Sequence, residues 1–356
     1  MGKYTAIDDP SAHFQTKVYT GTNANQSITN DGNSDLQPDW IFASYRTLPP
    51  YTNHRAIIDS SRGRAKILES DTNAVEATTT NAAYDLVSFD TDGFTVGAVN
   101  STSGLNASGI SHVAWQWKAN GGTTSTDTTS SITSTVQVNS DAGFSIVTYT
   151  GDGTTTGGFG HGLGVAPKVV FVKRRNTAAD WAVYHKDIGA ANFLKLSTTE
   201  AQQSGVWQGI DPSSTRVTVY QGGFVNGNGD DYVAYCFAEK QGYSKFGKYV
   251  GNGSTDGPFI YTGFKPAWVM AKKSSNLGPW AIVDNKRNSF NVSDKRLFAD
   301  DNTAESTTKT AFDFLSNGFK LRDNNSSLNA SGSTYIYMAF AENPFVTSTG
   351  IMGTAQ

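Results

Sequence analysis

Val113-Ala114-Trp115-Gln116-Trp117, Val233-Ala234-Tyr235-Cys236-Phe237-Ala238-Glu239 and Ile336-Tyr337-Met338-Ala339-Phe340-Ala341-Glu342 are three versions of one strand. Successive side chains of a strand point to opposite faces. Positions 113/115/117, 233/235/237 and 336/338/340 therefore make a bulky, apolar face each time. The other face is mostly small: Ala114, then Ala234, Cys236 and Ala238, then Ala339 and Ala341. A strand large on one side and small on the other fits a central position covered on both faces.

Working outward from that strand, the same landmarks recur in the same order, the signature of internal repeats. An aromatic and a turn open each unit at Tyr19-Thr20-Gly21, Tyr149-Thr150-Gly151 and Tyr249-Val250-Gly251. A proline follows at Pro38, Pro167 and Pro266 and leads into Trp40-Ile41-Phe42, Val169-Val170-Phe171 and Trp268-Val269-Met270. Second strands come next at Ala56–Asp59, Trp181–Tyr184 and Trp280–Asp284. Gly93-Phe94, Gly223-Phe224 and Gly318-Phe319 start another, and units one and three share Leu-Asn-Ala-Ser-Gly at 105–109 and 328–332.

Short strands between frequent turn residues, with no sustained helical period, predict an all-β chain of three tandem antiparallel β-sandwich domains, jelly-roll-like. Residues 1–13 read as a polar lead-in, 14–119 as the first repeat and 120–142 as a Thr/Ser/Gly linker. The second repeat is 143–241, the third 242–345 and the tail 346–356. Within the linker, Thr135–Val138 has the pattern of an edge strand. The short connection at 240–245 predicts that repeats two and three dock, with repeat one held more loosely. Ala190–Leu194 and Asp301–Glu305 carry weak helical signals of a turn or two.

Charge is nearly balanced, 28 Lys and Arg against 31 Asp and Glu, which argues against a phosphate-neutralising surface and against nucleic acid as a partner. No apolar run approaches a membrane span, so no membrane insertion is expected, and the N-terminus lacks the apolar core of a signal peptide. The single cysteine, Cys236, lies in the repeated strand and reads as a small buried hydrophobe.

Chemistry finds little to stand on. His185 ends a strand where the other repeats carry Asp59 and Asp284, and His161 sits in the glycine-rich loop 157–164, which lacks the Gly-Lys-Ser/Thr and helix of a phosphate cradle. Asn226, Asn228, Asp230 and Asp231 gather oxygen ligands, a weak calcium candidate without the bidentate acid at fixed spacing. Asp59/Arg62 and Asp284/Arg287 read as ion pairs closing a turn. Six of the seven tryptophans fall on strand landmarks; Trp207, in a loop-like context, is the best candidate for a ligand contact, with His161 and His185 behind it. No catalytic residue, metal centre or cofactor is expected.

The runs Phe144–Gly151 with Gly160–Pro167, and Gly253–Trp268, resemble a tandem-repeat domain family of uncharacterised function found in tail-fibre and virion-surface proteins of tailed, mainly marine, bacteriophages. The likeness covers residues 7–350 and brings no catalytic residues with it. It implies a non-enzymatic virion structural protein made in the host cytoplasm, part of a tail fibre or spike. Its partners would be other tail or capsid proteins, further copies of itself in a homo-oligomer, and a host surface glycan. The chain lacks a trimerising stalk, which leaves capsid decoration as the alternative. A polysaccharide-degrading tailspike enzyme is the third reading; it calls for carboxylates about 5–10 Å apart in a groove, and no such pair stands out.

Overall fold

The computed structural model describes residues 5–47, 54–99, 104–308 and 310–352, and among them the one regular element that is not β is the 3-10 turn Pro10–Ala12. Residues 1–4 of the lead-in and 353–356 of the tail lie outside the described residues. The first stretch forms β1 (Phe14–Thr20), β2 (Gln26–Ile28), β3 (Trp40–Tyr45), β4 (Ala56–Asp59), β5 (Lys66–Glu69), β6 (Ala77–Thr78), β7 (Leu86–Asp90), β8 (Gly93–Val96) and β9 (Ser111–Trp117). Then come β10 (Ser125–Asp127), β11 (Ser134–Asn139), β12 (Phe144–Thr150), β13 (Gly158–Gly160), β14 (Val169–Arg174) and β15 (Ala182–His185). The middle stretch ends with β16 (Asn192–Lys195), β17 (Gln203–Ser204), β18 (Arg216–Thr218) and β19 (Asp231–Phe237). The last gives β20 (Ser244–Val250), β21 (Phe259–Tyr261), β22 (Phe264–Lys273), β23 (Trp280–Asp284), β24 (Leu297–Phe298), β25 (Phe312–Leu315), β26 (Gly318–Leu321) and β27 (Thr334–Pro344).

Three large antiparallel sheets result, in the orders β1-β9-β3-β4-β5-β6, β10-β11-β12-β19-β14-β15-β16-β17 and β20-β27-β22-β23-β24. The bulky-and-small strand is interior in each, and its register is the same each time. Trp117 lies opposite Phe14 and Trp40, Phe237 opposite Phe144 and Val169, and Phe340 opposite Ser244 and Trp268. Smaller sheets, β2-β8-β7, β13-β18 and β21-β26-β25, lie against the large ones.

The two faces of the central strands part company. Their small faces close local cores with the smaller sheets: Ala114 with Ile28 and Phe94, Ala234 and Cys236 with Phe159 and Val217, Ala339 with Ile260 and Phe319. Their bulky faces enter one common core, which holds Trp115, Trp117, Tyr235, Phe237, Met338 and Phe340 together. Ring centroids there are 4.8 Å apart for Trp40 and Tyr235, 5.5 Å for Trp117 and Trp268, and 5.9 Å for Phe237 and Phe340, so every pair of sheets is in contact. The first stretch, expected to hang more loosely, is therefore as deep in the core as the others.

The seams between the sheets close in a ring. Arg55 and Trp181 stand directly before β4 and β15, and Trp280 is the first residue of β23. Trp181 Nε1 donates to the Glu69 carbonyl at 2.8 Å, Trp280 Nε1 to that of Lys195 at 2.8 Å, and Arg55 Nε to that of Phe298 at 3.2 Å. The three acceptors share one register position, opposite Ala56, Ala182 and Ala281. Backbone bonds repeat the cycle: Glu76 N–H to Arg175 O, Gln202 N–H to Ser274 O, and Glu305 N–H to Arg46 O, at 2.9, 3.0 and 2.8 Å. Second joins first, third joins second and first joins third, a head-to-tail contact whose rotation closes.

Several expectations change. Residues 120–142 are not a free linker: Asp39 accepts from the backbone N–H of Ala119, Gly121 and Gly122, β10 pairs with β11, and β11 pairs with β12 from Phe144 to Tyr149. Gly223-Phe224 starts no strand; the counterpart of β8 and β26 in the second stretch is β18, and 223–224 form a turn. Asn192–Lys195 is strand rather than helix, and 301–305 is irregular. Lead-in and tail meet where Ser348 N–H donates to Asp8 at 2.7 Å.

Trp40→Ala and Phe237→Ala, each expected to cost about 3–5 kcal/mol, come from different stretches but share this core. A double-mutant cycle should show coupling of roughly 0.5–1.5 kcal/mol between them. Strict additivity would mean that the two rings do not pack on each other.

Candidate functional site

The residues singled out for chemistry turn out to hold the fold together. Trp207 is 1% exposed and packs edge-on to Tyr184, at 6.2 Å between centroids, in the core behind the second large sheet. Its loop-like sequence context concealed that, and no ligand can stack on it. His161 is buried; its Nε2 lies 3.2 Å from Ser213 O, and Nδ1 accepts from Leu163 N–H.

The calcium candidate is a structural clamp. Asn226 accepts from Asp152 N–H and donates to Asp152 Oδ1 and Thr154 O, pinning the turn after β12. Asn106 and Asn329 do the same for the turns after β1 and β20, accepting from Thr22 N–H and Asn252 N–H. One residue earlier, the carbonyls of Leu105, Val225 and Leu328 accept the hydroxyls of Tyr19, Tyr149 and Tyr249. A Cβ on Gly21, Gly151 or Gly251 would lie within 2.4 Å of a carbonyl oxygen of the same loop, so the Tyr-x-Gly landmark has no room for another residue. Asp230 is engaged by Arg174 at 2.6 Å. Among the described residues no group of three or more His, Cys, Asp or Glu is placed to hold a metal ion.

His185 belongs to a seam, and its partners explain it. Asp59, His185 and Asp284 end equivalent strands, opposite Trp40, Val169 and Trp268. Asp59 holds Arg62 and accepts the Tyr235 hydroxyl at 2.7 Å; Arg62 also binds Glu76, which binds Arg175. Asp284 holds Arg287 and accepts Trp115 Nε1 at 2.9 Å; Arg287 also binds Glu305, which binds Arg46. At the third seam the whole set is exchanged for His185, Ile188, Gln202, Ser274 and Met338. There His185 Nδ1 accepts from Asp187 N–H and Nε2 donates to Tyr337 O, so the ring is held neutral. A buried ion pair missing one partner is strongly destabilising, which is why these positions differ together rather than singly.

What remains for recognition lies outside the core. On β21, Phe259 and Tyr261 flank the inward Ile260 and are 45% and 61% exposed. The same outward positions carry Ser27 and Thr29 beside Ile28, and Gly158 and Gly160 beside Phe159, so the fold does not require aromatics there. Lys320, bound to Asp256 at 2.8 Å, and Arg322, bound to Asp313, stand alongside. Tyr261 also forms one wall of a cleft of about 400 Å³ with Glu239, Gln241, Lys245, Thr262 and Phe345. An amphipathic ring beside paired charges and a polar cleft is suited to a hydroxylated ligand. Two exposed aromatics on alternate positions of a short strand were the signal for this face in the sequence, masked by the many aromatics of the core.

The chain belongs to a family described as a domain of unknown function, DUF7483, whose model matches residues 9–344. No curated protein and no solved structure matches it.

Burial holds the imidazoles of His112 and His185 down to about 4. In the unfolded chain both titrate near 6.5, so between about pH 6.5 and pH 4 the unfolded state binds more protons and the fold loses stability as pH falls. Asp300, raised to about 6 by burial, works in the opposite direction. Denaturant midpoints should drop across this window. His112→Tyr, the residue present at the equivalent positions 232 and 335, should flatten the drop; an unchanged slope would remove His112 from the account.

Proposed function

We propose that this member of the DUF7483 family is a non-enzymatic structural protein of a bacteriophage virion, part of a tail fibre or spike that contacts the host surface or other tail proteins. The resemblance of the Tyr-Thr-Gly and Gly-Phe-Lys-Pro-Ala-Trp runs to phage virion-surface modules motivates it. The single observation that carries it is the outward aromatic pair Phe259 and Tyr261, side by side on one strand face beside the 400 Å³ cleft, whereas the other exposed aromatics, Phe290 and Tyr220, lie singly in loops. Under this reading the closed body is a rigid mount, and the β21 face meets a surface glycan through ring stacking and hydroxyl hydrogen bonds. No step of chemistry is assigned to it.

Antibody labelling of intact virions, viewed by electron microscopy, tests the location. Label at the tail is the expected result; label spread over the head would replace this reading with capsid decoration, and unlabelled virions would overturn both. For the contact face, Phe259→Ser with Tyr261→Thr installs side chains of the kind the first stretch carries at these places. This variant should lose at least about ten-fold in binding to a bacterial surface-oligosaccharide array, the loss of about 1.4 kcal/mol expected for ring contacts, with its melting temperature unchanged. Undiminished glycan binding would move the contact elsewhere. Release of reducing sugar by the unaltered protein would count against a non-enzymatic role.

A further inference from the structure

β1, β12 and β20 hold the same place in the three large sheets, and their outer edges are finished in three ways. β12 is paired along its length by β11, from Ser134 opposite Tyr149 to Asn139 opposite Phe144. From β11, Gln137 reaches into the seam with the first sheet. Its Oε1 accepts from the N–H groups of Asn120 and Gly122 at 3.1 and 2.8 Å, and its Nε2 donates to the hydroxyls of Ser60 and Ser61 at 2.9 and 2.7 Å. On β20, the outward N–H of Phe246 is taken by the Glu239 carboxylate at 2.9 Å.

Among the described residues no strand lies beyond β1, and beside it the seam between first and third sheets opens into a cleft of about 220 Å³. Three of the four residues that hold Gln137, Asn120, Ser60 and Ser61, have counterparts in its lining. Thr16 pairs with Trp115 as Ile146, the neighbour of Gln137, pairs with Tyr235. Asn285 and Lys286 follow Asp284 as Ser60 and Ser61 follow Asp59, and Asn343 stands as far beyond Phe340 as Asn120 beyond Trp117. Thr16 is 4% exposed, yet its Oγ1 has no hydrogen-bond partner. A buried hydroxyl without a partner is destabilising, and a polar group seated in the cleft would satisfy it. Farther along the same strand, Lys17 and Val18 are only half-buried, where β11 would continue if it were present.

We propose that the edge of β1 accepts an extended segment of a partner polypeptide, running antiparallel as β11 does on β12, with a glutamine or asparagine side chain seated against Thr16 and Asn285. The free strand edge supplies main-chain hydrogen bonds, and the cleft selects the amide. A small amide would fill the cleft but leave the edge at Lys17 and Val18 bare, so the occupant is a strand. Lys17 and Lys286, both bound to Asp31 at 3.3 and 3.0 Å, rim the site and keep it from pairing with unselected chains. This inference stands apart from the virion reading, because it rests on the pairing of β1 alone.

The test titrates a synthetic peptide of residues 130–141 into the full chain and follows backbone amide resonances. The expected result is saturable binding with shifts at residues 14–19. A peptide carrying Gln137→Ala should bind at least ten-fold more weakly, and the Thr16→Val protein should bind the unaltered peptide more weakly. Absence of saturable binding, shifts confined to 144–149 through exchange with the chain's own strand, or equal affinity for the two peptides would overturn the proposal. Should Thr16→Val not fold, the two peptides compared on the unaltered protein decide it.

Discussion

No large sheet in this protein can bury its aromatic face alone. Trp115, Trp117, Tyr235, Phe237, Met338 and Phe340 project from three different sheets into one core, and each smaller sheet covers only the alanine side. Removing one sheet would return the tryptophan and phenylalanine faces of the other two to water, at roughly 25 cal/mol per Å² of apolar surface. Everything else follows from that constraint: the ring of seams, the gathering of six of the seven tryptophans in one core, and the lead-in residue Ile7 packed into it.

The seams show one backbone plan met by different side-chain chemistry. Trp181 and Trp280 use an indole N–H, with Lys173 and Lys272 nearby donating to carbonyls of the neighbouring sheet. In the first stretch Ser44 replaces the lysine, and the Arg55 guanidinium does both jobs, reaching Phe298 O, Ser44 Oγ and Thr303 O. The Asp–Arg–Glu networks at two seams and the His185 set at the third are likewise complete alternatives. A half-exchanged network would strand a buried charge. The outside is under no such constraint, and it is where the stretches differ most: Phe259 and Tyr261 on β21, and the unequal finishing of β1, β12 and β20.

The all-β class, the interior strand and its large and small faces were legible in the sequence, because period-two alternation reports a strand's faces directly. What the bulky face packs against was not, since alternation says which side is apolar and nothing about its partner. Residues 120–142 misled because Gln137 and the glycines at 121–122 have polar, linker-like composition, while their order comes from Asp39 and Ser60 far away in sequence. Asn226 looked like an ion ligand because Val225-Asn226-Gly227 is a divergent form of the Leu-Asn-Ala found at 105–107 and 328–330, so its clamp role was hidden. Arg55 could not be aligned with two tryptophans by residue type; only the register equates them.

Hydrogen exchange of the native protein, read by mass spectrometry on peptides covering β9, β19 and β27, tests the single shared core most directly. If the three sheets stand or fall together, the slowest amides of all three strands exchange at one common rate through one global opening. If β9 or any other central strand exchanges through its own, cheaper opening while the remaining two stay protected, the sheets are separate domains and the closed ring is not what holds them.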